Sequence, residues 1–329
     1  MKKFRYFVGA AVLALSLAAC SEEEETKTTA GEETEQAEAS AEKEQETAAT
    51  TQTVTYLGES YEVPAKVEKI VAASLEAMED AVVLGVKPVG VVADTGDAMP
   101  TYLAADLGDA AIVGSKKEPS AEAMLALQPD VILGTSKWDE SQLANFNKVA
   151  TTFPYSHVSV NWRENLTLFA ELTGKQAEAE KALAEYDAQL EDVKAQVAEK
   201  GLTEKTALVI RVREGMAVYP EKVYLNASIY ADLGLKAPEQ LSTIEAQTEI
   251  TFETLAEWNP DIILLQYTVG EGDDSAKIAE EIIANDIFKS TSAAKNGAVY
   301  ENIVDPLAQG GTAWSKINFL KGFAETVVK

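Results

Sequence analysis

Two arginines in an apolar stretch are the first candidates for ligand recognition. Arg211 and Arg213 lie two residues apart in Leu208-Val209-Ile210-Arg211-Val212-Arg213, which predicts a β-strand with both guanidinium groups on one face. Charged side chains in such a strand are unfavourable unless they meet a partner or open into a cleft. In a cleft, the planar guanidinium groups could donate hydrogen bonds to anionic oxygens such as those of a carboxylate.

Further cationic and aromatic side chains lie near the ends of predicted strands. Lys116 and Lys117 precede the helix–strand unit Pro119–Leu133, and Lys137 and Trp138 follow it. In open α/β sheets the ligand crevice forms beyond the carboxyl ends of the strands, so these residues are candidates for its lining. The other aromatic candidates are Trp162, Tyr219, Tyr224 and Trp314. Solvated surface is the alternative for the lysines, and core packing is the alternative for the tryptophans.

The histidine and cysteine content argues against a bare transition-metal site. His157 is the only histidine, and Cys20 is the only cysteine, whereas zinc and manganese sites need three or four donors, mostly histidines with a carboxylate. The sequence has no Asp-x-Asp-x-Asp-Gly calcium loop, although an all-carboxylate site stays open. We expect His157 to make a local hydrogen bond.

Motifs of several enzyme classes are absent from the sequence. It contains no Gly-x-Ser-x-Gly, no Walker A motif and no Gly-x-Gly-x-x-Gly, which argues against a serine hydrolase and against nucleotide chemistry. A carboxylate-pair glycosidase is not excluded by 54 acidic residues, but no pair stands out. We therefore expect a protein without enzymatic activity.

The chain begins with the pattern of a secretory signal. A basic start precedes an apolar run from Tyr6 to Ala19, which is shorter than the ~20 residues of a membrane span. Leu17-Ala18-Ala19-Cys20 is similar to the bacterial lipobox, in which cleavage precedes a cysteine that carries diacylglycerol. We expect residues 1–19 to be a lipoprotein signal peptide and Cys20 to be lipidated. An ordinary signal peptide with an incidental cysteine is the alternative.

Residues 20–55 are predicted to form a disordered acidic tether. Residues 21–52 contain eleven Glu, two Lys and almost no bulky apolar side chains, so they cannot bury enough surface to fold. The net charge of −26 for the whole chain disfavours binding to nucleic acids and to anionic lipid surfaces. We expect a protein held by its lipid at the outer face of the cytoplasmic membrane.

The remainder of the chain has the alternating pattern of an α/β protein. Short apolar runs predict strands, and amphipathic stretches between them predict helices. Ser74 is predicted to cap the first helix and Gly85 to end it. The predicted strands are Ile70–Ala73, Val89–Val92, Val131–Leu133, Leu208–Val212, Ile262–Gln266 and Val299–Glu301.

One stretch near the middle predicts a long helix. From Lys175 to Lys200 there is neither glycine nor proline, and apolar residues recur at steps of three and four. This pattern predicts a continuous amphipathic helix about 39 Å long. Such a linker between lobes resists bending, so we expect only a small rotation when a ligand binds.

An internal repeat supports two lobes. Pro119–Leu133 aligns with Ile250–Leu264 at an offset of 131 residues. In both copies a Ser or Thr precedes a short helix, a glutamate (Glu122 or Glu253) lies in its first turn, and Pro-Asp leads into an apolar strand. Any helix–strand junction shares some of these features, but their coincidence favours a duplication.

The whole chain resembles the substrate-binding lipoproteins of bacterial ABC importers. The resemblance rests on the lipobox, the acidic tether, the paired helix–Pro-Asp–strand units and the long helix. Three further segments are similar to iron–siderophore receptors of Bacillus-type bacteria: Ser74-Leu75-Glu76-Ala77-Met78-Glu79-Asp80, Asn161-Trp162-Arg163-Glu164-Asn165 and Val304-Asp305-Pro306-Leu307-Ala308-Gln309-Gly310-Gly311-Thr312-Ala313-Trp314-Ser315.

This resemblance implies an α/β fold of the periplasmic-binding-protein-like class III, with two Rossmann-like lobes of mostly parallel sheets joined by a rigid helix. The implied domains are an N-terminal lobe at 56–173, a linker helix at 174–201 and a C-terminal lobe at 202–329. The implied function is capture of an extracellular ferric siderophore, of hydroxamate or citrate-hydroxamate type, for an ABC permease. Cobalamin, haem or a catecholate siderophore is the alternative ligand, and an exported enzyme or a scaffold lipoprotein is the alternative class.

The resemblance also assigns roles to residues. It implies that the siderophore holds the iron, without a cofactor, and that one set of side chains lines the cleft: Lys116, Lys117, Lys137, Trp138, Trp162, Arg211, Arg213, Tyr219, Tyr224 and Trp314. Glu122 and Glu253 would dock the monomeric protein to the two permease subunits, which work with an ATPase. Stabilisation of a helix N-terminus is the alternative role for these glutamates.

Overall fold

The computed structural model describes residues 50–94, 96–269 and 274–329. The predicted signal peptide, Cys20 and the tether up to residue 49 lie outside the described residues. Within the described ranges, no helix has both the length and the apolar character needed to cross a membrane.

Strands and helices alternate through most of the described chain. The strands are β1 (Thr51–Tyr56), β2 (Glu59–Pro64), β3 (Ile70–Ala72), β4 (Gly90–Ala93), β5 (Ala111–Ser115), β6 (Val131–Leu133), β7 (Thr151–Phe153), β8 (Ala207–Val212), β9 (Met216–Val218), β10 (Thr248–Ile250), β11 (Ile262–Gln266) and β12 (Val299–Glu301). The helices are α1 (Leu75–Leu84), α2 (Thr101–Leu107), α3 (Ala121–Leu127), α4 (Glu140–Phe146), α5 (Trp162–Thr173), α6 (Gln176–Glu199), α7 (Phe252–Trp258), α8 (Ser275–Ala284), α9 (Asp286–Lys289), α10 (Ser292–Lys295) and α11 (Ala313–Thr326).

The first lobe is built on a parallel sheet in the order β5-β4-β3-β6-β7. Its central strands, β3 and β6, are apolar and fully buried, as expected for parallel strands that helices cover on both faces. Ser74 follows β3 and accepts a hydrogen bond from the Ala77 N–H, and Gly85 ends α1 in the left-handed conformation. Both predicted caps are confirmed.

The second lobe contains a mixed sheet in the order β10-β9-β8-β11-β12. β8, β11 and β12 are parallel, whereas β9 and β10 are antiparallel to their neighbours. This arrangement agrees with the prediction of mostly parallel sheets.

The two copies of the repeat adopt the same local structure. Ser120 caps α3 and Thr251 caps α7 by accepting from a backbone N–H. Asp130 accepts a hydrogen bond from the Lys69 N–H at 2.8 Å, and Asp261 accepts one from the Thr206 N–H at 2.9 Å. Each Pro-Asp therefore fixes the start of the neighbouring parallel strand, β3 in one lobe and β8 in the other, which explains the shared pattern.

The long linker helix is present as α6. It covers nearly the whole predicted span, and its buried side chains include Tyr186, Val193 and Val197. The helix packs against α1, α5 and α11.

The structure departs from the predicted domain boundaries at both ends of the body. Thr51–Tyr56 pairs with β2 as an antiparallel hairpin, so the last residues assigned to the tether are ordered strand. The hairpin forms because Val54 and Tyr56 on alternate positions are buried. At the other end, α11 packs against α1, α5 and α6, so the C-terminal helix returns to the first lobe and the linker.

Candidate ligand-binding cleft

A cleft of about 450 Å³ lies where strand ends of both lobes meet. First-lobe segments after β3, β5, β6 and β7 and second-lobe segments around β8, β9, β10 and β12 supply its walls, as the rule for open α/β sheets requires. Its lining is Ser74, Leu75, Glu76, Lys116, Lys117, Thr135, Lys137, His157, Arg211, Arg213, Tyr219, Val223, Tyr224, Gln247 and Gln309. An adjoining cavity of about 440 Å³ shares Lys116, Arg211 and Arg213 with this central cleft.

The lysines after β5 enter the central cleft from the first lobe. Lys117 is exposed, whereas Lys116 is half-buried and forms an ion pair with Asp94. Burial lowers the pKa of Lys116, and the positive charges of Arg211 and Arg213 lower it further against the opposing effect of Asp94. Cations of both lobes therefore repel one another across the cleft, and an anion bound between them would relieve this repulsion.

A second group of polar side chains follows β3, β6 and β7. Lys137 Nζ lies 3.1 Å from a Glu76 carboxylate oxygen, and His157 Nδ1 lies 2.7 Å from Ser136 Oγ. Burial and the charge of Lys137 lower the pKa of His157, so the imidazole is neutral at pH 7. The expected local hydrogen bond of His157 is confirmed, and the ring also faces the cleft.

Arg211 lies in β8 and Arg213 directly follows the strand, and both line the cleft. The Arg211 guanidinium lies over the Tyr224 ring, 5.1 Å from its centroid, and Arg213 is exposed. Within the described residues, no carboxylate forms a salt bridge with either arginine. These two cations are therefore free to pair with an anionic ligand.

Tyr219 and Tyr224 form the aromatic part of the lining. Their ring centroids are 5.1 Å apart, and Tyr219 donates a hydrogen bond to Gln247 at 2.9 Å. Tyr224 is only 3% exposed, yet its hydroxyl has no hydrogen-bond partner in the described part of the chain. Burial raises the pKa of Tyr224 to about 12, so the hydroxyl keeps its proton. The Tyr224 hydroxyl is therefore an unsatisfied donor in the wall of the cleft, which is uncommon for a buried polar group.

The three tryptophans predicted for the lining do not lie in the cleft. Trp138 is buried against Phe146, with ring centroids 4.4 Å apart, and Trp162 packs edge-on against Tyr186 at 4.9 Å. Trp314 contacts Tyr102 at 4.6 Å and lines a surface groove beside α6. The prediction was wrong because each ring packs against a neighbouring aromatic side chain: Trp138 lies in the loop after β6, whereas Trp162 and Trp314 lie in the first turns of α5 and α11.

Other cleft residues were missed in the sequence. Glu76 and Gln309 lie in segments that carried the family resemblance, and their position there was the only available signal. Thr135, Val223 and Gln247 have no distinguishing pattern in the sequence, because they reach the cleft only through the pairing of distant strands.

The two glutamates of the repeat lie outside the cleft. Glu122 and Glu253 are both exposed in the first turns of α3 and α7. Their equivalent placement on equivalent helices gives one exposed carboxylate per lobe.

The described residues contain no group of three or more His, Cys, Asp or Glu side chains that could hold a metal ion. Most polar groups of the cleft lining are instead ammonium, guanidinium, hydroxyl and amide donors. Such groups suit the periphery of an oxygen-rich anion.

Comparison with known proteins defines the class. The sequence profile of the periplasmic binding protein family matches residues 70–302, and the chain belongs to this family. Its two lobes and linker helix are those of a class III periplasmic binding protein, so the chain is a substrate-binding protein and not an enzyme.

Several individual relatives match the chain over most of its length. The iron-uptake system-binding protein of Bacillus subtilis (strain 168) is 40% identical over 331 residues, which cover 100% of both chains. The probable siderophore-binding lipoprotein YfiY of the same strain is 29% identical over 269 residues, which cover 78% of this chain and 81% of YfiY. Among solved structures, the triscatecholate siderophore binding protein FeuA from Bacillus subtilis, complexed with Ferri-Bacillibactin, is 42% identical with a TM-score of 0.78 and covers 84% of this chain and 98% of FeuA.

Proposed function

We propose that this protein captures a ferric siderophore of the tris-catecholate type and delivers it to an ABC permease for iron uptake. The observation that carries the proposal is the charge of the central cleft: five cations and a single carboxylate, Glu76, line it. The similarity to a solved triscatecholate siderophore binding protein over nearly that protein's whole length supports the same ligand class.

The net charge of the ferric complex differs between siderophore classes. A ferric tris-catecholate is a trianion, because three doubly deprotonated catechols surround one Fe³⁺, whereas a ferric trihydroxamate core is neutral. Lys116 and Lys137 already have carboxylate neighbours, but Lys117, Arg211 and Arg213 have none in the described ranges. These three cations match the charge of the catecholate complex, so the alternative ligand is better supported than the hydroxamate expected first.

Recognition would leave the iron coordination intact. Arginine and lysine have no lone pairs for a metal at neutral pH, and they donate hydrogen bonds to the catecholate oxygens instead. Tyr219, which lines the cleft beside Tyr224, provides aromatic surface for a catechol ring. The iron is then cargo carried inside its chelate.

Delivery requires a membrane tether and a docking surface. The predicted lipid on Cys20 would hold the protein at the outer face of the membrane, and a relative named as a lipoprotein supports this placement. Glu122 and Glu253 would each pair with a cationic pocket on one permease subunit, since they are exposed at equivalent positions of the two lobes.

A fluorescence titration of the full-length chain tests the ligand. The panel contains a ferric tris-catecholate, its iron-free form, a ferric trihydroxamate, a ferric citrate-hydroxamate, haem and cobalamin. We expect saturable quenching by the ferric tris-catecholate, and Arg211→Ala to weaken its binding by about tenfold or more, as for loss of a charge-assisted hydrogen bond.

Arg163→Ala is the matched control. Arg163 is an arginine outside the cleft, paired with Asp187 on the surface, so its removal should leave affinity unchanged. Tighter binding of the trihydroxamate than of the tris-catecholate would overturn the ligand class. Binding of none of the compounds would contradict the proposed function.

A further inference from the structure

A buried carboxylate next to the cleft lacks a cationic partner among the described residues. Glu79 on α1 is 0% exposed, and it accepts hydrogen bonds from four groups: the Tyr102 hydroxyl, the Gln309 N–H at 2.9 Å, and the hydroxyls of Thr312 and Ser315. Three of these donors belong to the segment 309–315, which follows the second-lobe sheet. Glu79 thus joins a first-lobe helix to the chain that returns from the second lobe.

These four hydrogen bonds require that both carboxylate oxygens of Glu79 act as acceptors. Ser315 Oγ already accepts from the Gly310 N–H at 2.9 Å, and Thr312 Oγ1 accepts from the Ser315 N–H at 3.0 Å. Both hydroxyls therefore direct their protons to Glu79, and the backbone N–H of Gln309 can only donate. An amide at position 79 has a single acceptor oxygen and would leave at least one of these donors unpaired.

Gly310, in the segment that Glu79 holds, lies against the backbone of Tyr224. A Cβ on Gly310 would lie 2.4 Å from the carbonyl carbon of Tyr224, so only glycine permits this approach. Tyr224 itself has a positive φ of 56°, which is unfavourable for a residue with a side chain. From the other side, Ser159 Oγ donates to the Tyr224 carbonyl at 2.9 Å. Tyr224 is clamped between two segments, and its unpaired hydroxyl is buried in the wall of the cleft.

We propose that Glu79 is a positioning residue for ligand recognition: it holds Gln309 and Gly310 against Tyr224, and thereby sets the Tyr224 hydroxyl for a hydrogen bond to an oxygen of the bound chelate. This proposal rests on the proposed function for its ligand. The contacts from both segments are needed because Tyr224 has a strained backbone. Without these contacts the tyrosine would relax to an ordinary conformation.

Asp80 provides a matched control. It is the neighbouring carboxylate on α1, is equally buried, and accepts from the Tyr155 hydroxyl and the Ala313 N–H at 2.8 Å each. Asp80→Asn therefore removes a comparable buried acceptor that fixes the start of α11 but does not touch the Gln309–Gly310 segment. Ser315→Ala is a milder variant. It removes the hydroxyl that links Glu79 to the Gly310 N–H and leaves the carboxylate in place.

The test is a double-mutant cycle with Tyr224→Phe on the full-length chain, read by affinity for a ferric tris-catecholate. We expect Glu79→Gln to weaken binding by about tenfold and Ser315→Ala by less, with Asp80→Asn near wild type. In the Tyr224→Phe background, where the hydroxyl is already absent, Glu79→Gln should have little further effect. An equal loss in both backgrounds, or no loss at all, would overturn the positioning role.

Amide exchange of the ligand-free protein gives a reading that does not depend on the ligand. Glu79→Gln should speed exchange at Gln309 and Gly310, whose N–H groups are bonded to Glu79 and Ser315, whereas Asp80→Asn should not. Unchanged exchange in Glu79→Gln would refute the clamp. Faster exchange in a protein that binds no siderophore would retain the clamp and reject the proposed function.

Discussion

At the scale of single residues, several charged and polar groups in or beside the cleft lack their usual partners. Arg211 and Arg213 have no carboxylate partner in the described ranges, the Tyr224 hydroxyl has no acceptor there, and the buried carboxyl of Glu79 has no cation beside it. Each of these is unfavourable for stability taken alone. Their concentration at the meeting point of the two lobes is typical of a binding site, where stability is exchanged for recognition.

The titration of Glu79 leads to a prediction for the pH dependence of stability. Burial raises the pKa of Glu79 to about 7 despite its hydrogen bonds. Between the usual carboxyl pKa of about 4.3 and this value, the folded state keeps a proton that the unfolded state has released. The contribution of Glu79 to stability is therefore present at low pH and is lost as the pH rises through 7.

We expect the free energy of unfolding of the wild type, minus that of Glu79→Gln, to decrease from pH 5.5 to pH 8. Urea unfolding at a series of pH values measures this difference. The comparison cancels the contributions of other acids, including Asp80, whose pKa burial also raises. A difference that increases with pH would show that the carboxyl is more acidic in the folded state than its burial implies.

At the scale of elements, the linker helix is fastened to the rest of the protein by a buried polar contact. Asp232 in the second lobe accepts a hydrogen bond from Tyr186 of α6 at 2.8 Å and pairs with Lys316 of α11 at 2.5 Å. Lys316 is only 1% exposed, and burial lowers its pKa while Asp232 opposes this effect. Three elements thus meet at one carboxylate.

Asp232→Ala is expected to lower the free energy of unfolding by about 3–5 kcal/mol, because it leaves the Lys316 ammonium buried without a counterion. Asp187→Ala removes the exposed partner of Arg163 and should change stability by less than about 1 kcal/mol. Denaturant unfolding of both variants measures the contrast. Similar losses for the two would mean that the buried pair contributes no more than a surface one.

At the scale of the whole molecule, the two lobes present equivalent helices with one exposed glutamate each. Because Glu122 and Glu253 follow the same capping pattern in α3 and α7, the proposed docking to a permease is pseudo-symmetric. The linker helix α6 contacts helices α1, α5 and α11, so the separation of the two glutamates should change little when a ligand binds.

Reversing both charges, Glu122→Arg with Glu253→Arg, should abolish siderophore-dependent iron uptake by cells without changing ligand affinity, because neither glutamate lines the cleft. Glu257→Arg, a charge reversal at another exposed position of α7, should leave uptake near wild type. Radiolabelled-iron uptake and fluorescence titration read the two effects separately. Normal uptake by the double variant would contradict the docking role.

Local patterns in the chain were enough to predict six of the twelve described strands, the long helix and the main cationic residues. The six predicted strands, the caps of α1 and the long helix follow from apolar periodicity and from Ser and Gly at helix ends, which act over a few residues. The arginines of β8 could be recognised because an apolar strand makes charge unfavourable wherever it occurs. The composition likewise argued against a transition-metal site.

Contacts between distant residues decided the rest. Trp138, Trp162 and Trp314 turn away from the cleft, α11 returns to the first lobe, and Gly310 meets Tyr224 across 86 positions of sequence. No short window of sequence contains these contacts, because they join elements that are far apart in the chain. Glu79 looked like one acid among many in the chain, and only the fold gave it four donors and placed it beside the cleft.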